Sequence, residues 1–349
     1  MIVTGGGTGG HVYPAIEVGK RAASAGWRVA YAGSLRGLEG KASTALGWPF
    51  FGFNTGPVYS LRTLAGMKGA VQYAQALAAT SKMLRKEKPD VVFSTGGYAA
   101  GPVVESARKL GIPYVLLEAN SVPGRSISRF AQQAVAVATV FRGAEQHFPG
   151  CRVERTGLPI RDALRELAAQ PAEQKRQVLV VGGSRGSVFL NETVPEAFDE
   201  SMDAEWLHVS GPDHFEATRV RAEGKRGYTV APFLEAEAMA KAYKESMVVV
   251  ARSGSSLAEL ALFGIPGVLI PLPTSAGDHQ LHNAEEFAAM KAATLLRQSE
   301  ATPQAIRGAV LKWLDDESER KAAALALKEF DVPDATERIW QLVQAGARA

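Results

Sequence analysis

At 349 residues, 46% hydrophobic and 21% charged, the chain is too long for one core and too apolar for disorder, so two soluble globular domains are expected. A formal net charge of +3 suits an anionic substrate or membrane surface and is too small to argue for nucleic acid. The single cysteine, Cys151, has no Cys or His neighbour at metal-ligand spacing and fits a reducing cytoplasm. No leader-like segment precedes the first strand and no apolar run approaches the roughly 18 residues of a membrane span, so the expectation is a protein neither exported nor threaded through a bilayer.

The chain opens on a buried strand end, Met1 to Thr4, followed by five glycines in six positions, Gly5 to Gly10, and a helix for which Pro14 is the opening signal. Such a turn lets backbone N–H groups approach a ligand, and the positive end of the helix dipole favours an anion there, a phosphate or diphosphate. Thr8 and His11 are its only reactive side chains. A strand over 27–32, a helix over 38–46 and a strand over 49–53 complete a βαβαβ unit of apolar, parallel-type strands.

Between Phe51 and Pro89 the charge shifts: Arg62, Lys68, Lys82, Arg85, Lys86 and Lys88 face only Glu87, a net of +5, and Val58, Tyr59, Leu61, Leu64, Met67 and Val71 are interleaved with the first of them. This stretch reads either as a surface lying on an anionic bilayer or as a solvated helix covering the sheet. A strand over 89–94 then runs into Thr95 to Pro102, where Gly96, Gly97 and Gly101 repeat the strand, glycine turn, helix device beside Tyr98. Strands over 114–118, ending at Glu118 and Asn120, and over 134–139 follow. Loops at the carboxyl ends of parallel strands line the ligand crevice, so both glycine turns, Glu118 and Asn120 are expected on one edge.

The first domain is assigned to residues 1–160 and a polar, Pro-containing linker to 161–176; a second domain spans 177–334, with a helix from about 335 packed back on the first. The second half starts afresh with the strand Gln177 to Val181 and the turn Gly182 to Gly186, and continues with strands over 206–210, 228–231, 247–251 and 267–270. Polar loops follow three of these strands: Arg252 to Glu259 with a serine N-cap cluster, Asp278 to Asn283, and Pro232 to Leu234. Together they suit a nucleotide, with N–H groups on phosphate, a carboxylate on ribose and an aromatic beside a base. Gly5, Gly7 and Gly10 also spell GxGxxG, but the acid that would hold a dinucleotide ribose is missing from Tyr31-Ala32-Gly33-Ser34; Arg36 facing a 2′-phosphate keeps a reductase open.

GGTGGHVYP, STGGYAAGP, GGSRG, ARSGSSLAE, DHQ and PDATER occur in order over nearly the whole chain, which resembles the MurG family of bacterial glycosyltransferases. The resemblance implies an α/β GT-B fold, two Rossmann-like doubly wound parallel-sheet domains facing a central cleft. It implies inverting transfer of N-acetylglucosamine from UDP-N-acetylglucosamine to an undecaprenyl-diphospho-N-acetylmuramoyl-pentapeptide, with no cofactor and no metal. The acceptor diphosphate would meet Gly7, His11, Gly96, Gly97 and Tyr98. The donor would meet Thr8, Gly9, Gly10, Asn120, Arg161, Ser184, Phe233, Leu234, Arg252, Ser255, Ser256, Glu259 and Gln280. A base must take the attacking hydroxyl's proton; His11 leads, with Glu118 and Asp278 in reserve. Other implied partners are the anionic cytoplasmic membrane surface, to which the protein would bind peripherally, and other cell-wall synthesis proteins. This chain departs from the family pattern at Ala119 and Leu158 and in the shortened loop between Arg252 and Glu259. A transferase acting on another lipid, a UDP-sugar epimerase and a non-catalytic nucleotide-sugar binding protein stay open on the residues alone.

Overall fold

The structure, a computed structural model, describes residues 1–56, 64–171, 174–183 and 185–348. They fall into two compact units, 1–160 with 332–349 and 161–331. Of the basic stretch, residues 57–63, with Val58, Tyr59, Leu61 and Arg62, lie outside the described residues.

The first unit is a parallel sheet of β1 (Ile2–Thr4), β2 (Ala30–Ser34), β3 (Phe50–Phe53), β4 (Val92–Ser94), β5 (Tyr114–Glu118), β6 (Ala136–Thr139) and β7 (Val153–Arg155). Their order is β3-β2-β1-β4-β5-β6-β7, and Ile2 stands level with Ala30 on one side and Val92 on the other. Helices cover the sheet, so its central strands are mostly apolar, and Ile2, Ala30, Val92, Leu116 and Val137 join Val103, Val104 and Phe130 in one core. The last helix, Ala335–Ala347, packs on the first, Gly9–Ser24. Trp340 meets Trp27 edge-on at 4.8 Å, and Arg21 lies over its ring and pairs with Glu337 at 2.6 Å.

The second unit repeats the design with β8 (Gln177–Val181), β9 (Glu205–Val209), β10 (Tyr228–Ala231), β11 (Val248–Ala251), β12 (Gly267–Leu269) and β13 (Ala293–Leu295) in the parallel order β10-β9-β8-β11-β12-β13. Residues 161–176, read from sequence as a linker, carry the helix Asp162–Ala169, which packs against Ala236–Glu245 within this unit. Arg165 holds Asp331 through two hydrogen bonds of 2.9 and 3.1 Å.

Local expectations are corrected in places. The first helix begins at Gly9, before Pro14, which sits inside it and is buried; the glycines therefore form its first turn. Strand β2 starts three residues later than the apolar run from Trp27 indicates. Strands β7 and β13, three residues each, have no sequence signal of their own. The serines before Leu257 do not cap the helix Leu257–Phe263 through a hydroxyl: Ser256 is the cap residue and its side chain makes no capping bond.

Candidate active site

In both sheets the chain reverses its winding at one place, between β1 and β4 and between β8 and β11. The loops leaving these neighbouring strands run to opposite faces and open a crevice at the carboxyl ends.

In the first unit the two glycine turns leave β1 and β4 and touch. The Thr95 hydroxyl donates to the His11 carbonyl at 2.7 Å, while His11 Nδ1 lies 2.8 Å from the Thr95 carbonyl. A carbonyl can only accept, so Nδ1 carries the proton, and in the neutral ring Nε2 is the basic nitrogen. Gly97 has φ 82°, and a Cβ there would strike the Gly6 carbonyl oxygen. A Cβ on Gly7 would come within 2.7 Å of the Tyr98 ring, so Tyr98 roofs the turn. Extended Thr8 precedes the helix without a side-chain capping bond, and the N–H groups of Gly9 and Gly10 have no intrahelical acceptor. Beneath the turn, fully buried Glu39 accepts from the Gly7 N–H at 3.3 Å. Glu39 has no motif in the sequence; only its position behind three glycines marks it.

Glu118, at the end of β5, is 2% exposed. Its carboxyl accepts from the Asn120 N–H and side-chain amide, both at 2.9 Å, and from the Gly124 N–H at 2.8 Å. Burial outweighs these bonds and lifts its pKa from 4.5 to about 7. Both oxygens serve the 119–124 loop, which makes Glu118 an organiser of that loop. Asp278, the other reserve base, is an exposed residue with φ 54° in the second unit.

In the second unit the turn after β8 carries Gly182, Gly183 and Gly186; Ser184 lies outside the described residues. Gly186, at φ 77°, leaves no room for a Cβ beneath the Ser210 carbonyl. That carbonyl accepts from Asn191 at 2.9 Å. Asn191 is in turn held by His208, 2.9 Å away. Tyr228 hydrogen-bonds the other ring nitrogen at 2.7 Å. His208 is fully buried, and burial drops its pKa to about 3, so it stays neutral.

Arg252, just past β11, is buried. Its Nε donates to Ser187 Oγ at 3.1 Å, its Nη1 to the Ile270 and Pro271 carbonyls at 2.9 and 3.0 Å, and its Nη2 to Gln298 Oε1 at 2.8 Å. Desolvation pulls its pKa from 12.5 to about 10.

Glu259, partly exposed, is oriented by the Tyr243 hydroxyl at 3.0 Å and faces Arg161 Nη2 at 3.9 Å. Burial raises its pKa, with Arg161 opposing. Gln280 Oε1 accepts from the Leu272 N–H at 3.0 Å and its carbonyl from Ser253 Oγ at 2.6 Å, tying the 272–280 loop to the segment holding Ser255 and Ser256. Phe233, 49% exposed, and Leu234 follow β10 at the sheet edge, two strands from β8. Gln298, Ser187, Tyr243 and Asn191 were not among the residues picked from the sequence, because each acts through a partner remote in the chain.

The chain matches the glycosyltransferase family 28 N-terminal domain over residues 1–139 and the C-terminal domain over residues 177–339. It is 33% identical to a UDP-N-acetylglucosamine--N-acetylmuramyl-(pentapeptide) pyrophosphoryl-undecaprenol N-acetylglucosamine transferase of an Exiguobacterium species, across 99% of this chain and 98% of that protein. The chain belongs to the MurG family of glycosyltransferases. The protein of the same name from Halorhodospira halophila is 36% identical over 97% of this chain and 96% of its own length. The crystal structure of Acinetobacter baumannii MurG superimposes with a TM-score of 0.77 at 29% identity, covering 99% of both chains. A kitacinnamycin glycosyltransferase, at 17% identity and TM-score 0.75, shares the fold. This chain is therefore a hexosyltransferase with the two-domain α/β architecture of GT-B enzymes. Among the described residues no group of three or more His, Cys, Asp or Glu is arranged to hold a metal ion.

Proposed function

We propose that the chain transfers N-acetylglucosamine from UDP-N-acetylglucosamine to the 4-hydroxyl of undecaprenyl-diphospho-N-acetylmuramoyl-pentapeptide, making the lipid-linked disaccharide precursor of peptidoglycan. The observation that carries this reading is near-complete coverage by relatives bearing that activity in their names. Glycine turns at the switch point of each unit, after β1 and β4 in the first and after β8 in the second, support it.

In this reading the first unit takes the acceptor diphosphate on the turns holding Gly7, Gly96, Gly97 and Tyr98. The second unit takes the donor: Ser184 and the turn after β8 on phosphate, Arg252 supplying positive charge, Glu259 on the ribose hydroxyls, and Gln280 on the sugar. Ser255 and Ser256 stand beside Gln280, Leu234 offers backbone to uracil, and Phe233 caps that end. Thr8, Gly9, Gly10, Asn120 and Arg161 complete the donor's surroundings. His11 Nε2 accepts the proton as the acceptor oxygen attacks the anomeric carbon and the bond to UDP breaks, inverting that carbon. Arg252 and backbone N–H groups stabilise the charge that collects on the departing diphosphate. No cofactor enters this scheme.

Association with the anionic cytoplasmic face of the membrane belongs to the same reading, since the acceptor is lipid-linked. Among the described residues no helix is long and apolar enough to cross a membrane. The helix Leu64–Glu87 exposes Met67 (48%) and Val71 (58%) beside Lys68, an amphipathic surface suited to that face.

The test is UDP release and lipid-linked disaccharide formation from the two substrates. The wild type is expected to produce both, and His11→Ala to lower kcat by about 10²- to 10⁴-fold, the usual worth of a general base. Absence of turnover together with absence of binding to either substrate refutes the assignment.

A further inference from the structure

Arg252 is a buried cation held by neutral groups. Its polar partners are a hydroxyl, two backbone carbonyls and the amide oxygen of Gln298, and the ring of Phe189 lies 5.7 Å from its guanidinium carbon. An arginine carries five N–H donors. These four bonds occupy one on Nε, both on Nη1 and one on Nη2, leaving a single Nη2 hydrogen. The guanidinium is thus fixed in orientation by three loops, yet no carboxylate among the described residues pairs with it. A buried charge without a counter-charge is costly to the folded protein. A ligand that supplied the opposite charge would offset that cost.

Gln298, half-buried just past β13, is among the described residues the only side chain bonded to Nη2. A glutamate of the same length would make the same bond and neutralise the cation. We propose that Gln298 is a positioning residue of the donor site, holding the Arg252 guanidinium in place while leaving its charge available to a nucleoside diphosphate. This rests on the donor role given above to the second unit.

Gln298→Glu separates positioning from charge, because it keeps an oxygen acceptor and adds a negative charge. Calorimetric titration of the full-length protein with UDP is expected to show about a tenfold or greater loss of affinity in Q298E, with KM for UDP-N-acetylglucosamine rising in parallel. KM for the lipid-linked acceptor stays as in the wild type, and the thermal midpoint is equal or higher. Competition by uridine, which lacks phosphates, is expected to be unchanged. Gln298→Ala, which removes the bond and adds no charge, gives a second measure: UDP affinity falls about threefold, the loss of orientation alone.

Q298E binding UDP within twofold of the wild type overturns the proposal, and so does an equal loss for uridine and UDP. Should Q298E not fold, unchanged UDP affinity in Q298A overturns it and a loss confined to UDP supports it. A wild type that binds no UDP refutes the donor reading itself, which sets that failure apart from failure of the Gln298 variants.

Discussion

At Glu118 hydrogen bonds from Gly124, Asn120 and Ala119 favour the carboxylate and burial favours the acid, and burial prevails: the pKa rises from 4.5 to about 7. A raised folded-state pKa means that this group's contribution to stability is fully present below about pH 4.5 and is lost as pH rises through about 7. A shift of this size is worth on the order of 3 kcal/mol. Urea denaturation of wild type and Glu118→Gln across pH 5 to 8 is therefore expected to show the wild type losing stability relative to the variant as pH rises. Parallel profiles would rule the shift out. The residue scale also marks what the sequence conveys and what it withholds. His11 is legible because it ends a glycine motif, but the proton on Nδ1 depends on Thr95, 84 residues away. Glu39 and Gln298 belong to no motif, and their chemistry exists only where the fold brings a glycine N–H or a guanidinium to them.

Among the elements, the glycine turns were legible for a simple reason: repeated loss of side chains after a short apolar run has few other uses. Their mutual contact was not, since it depends on β1 and β4 being neighbours across the switch point. Gly97 and Gly111 separate the two demands made on such residues. Both have positive φ, 82° and 68°, but a Cβ on Gly111 meets nothing within 4 Å whereas one on Gly97 strikes the Gly6 carbonyl. Gly111→Ala is expected to cost about 1 kcal/mol from backbone strain alone. Gly97→Ala is expected to cost clearly more and to raise KM for the acceptor, measured by urea midpoints and initial rates. Equal costs would mean that the two turns yield freely. The short strands β7 and β13 escaped notice because three residues at a sheet margin carry no periodicity to read.

For the whole molecule, the recurrence of strand, glycine turn and helix in both halves of the sequence was enough to indicate two parallel, doubly wound sheets. The side chains that seat the last helix on the first unit were less legible, because a charged C-terminal segment does not declare its contacts. Trp340, 1% exposed against Trp27 and Arg21, anchors the last helix to the first unit. Trp340→Ala is expected to destabilise that unit by roughly 3–5 kcal/mol while leaving UDP affinity, which the proposed donor assignment gives mainly to the other unit, within twofold. Thermal unfolding followed with and without UDP measures both, and a matching loss of UDP affinity would contradict the separation.

Residues 161–331 form an uninterrupted segment, whereas the first unit takes its final piece from residues 332–349. On a ribosome, which releases the chain from its N-terminus, the segment begun second is thus the first to have all its parts. The opening 160 residues must wait, with the seat of Trp340 uncovered, until the last helix emerges. Truncation before residue 332 would accordingly injure the half of the enzyme that was translated first.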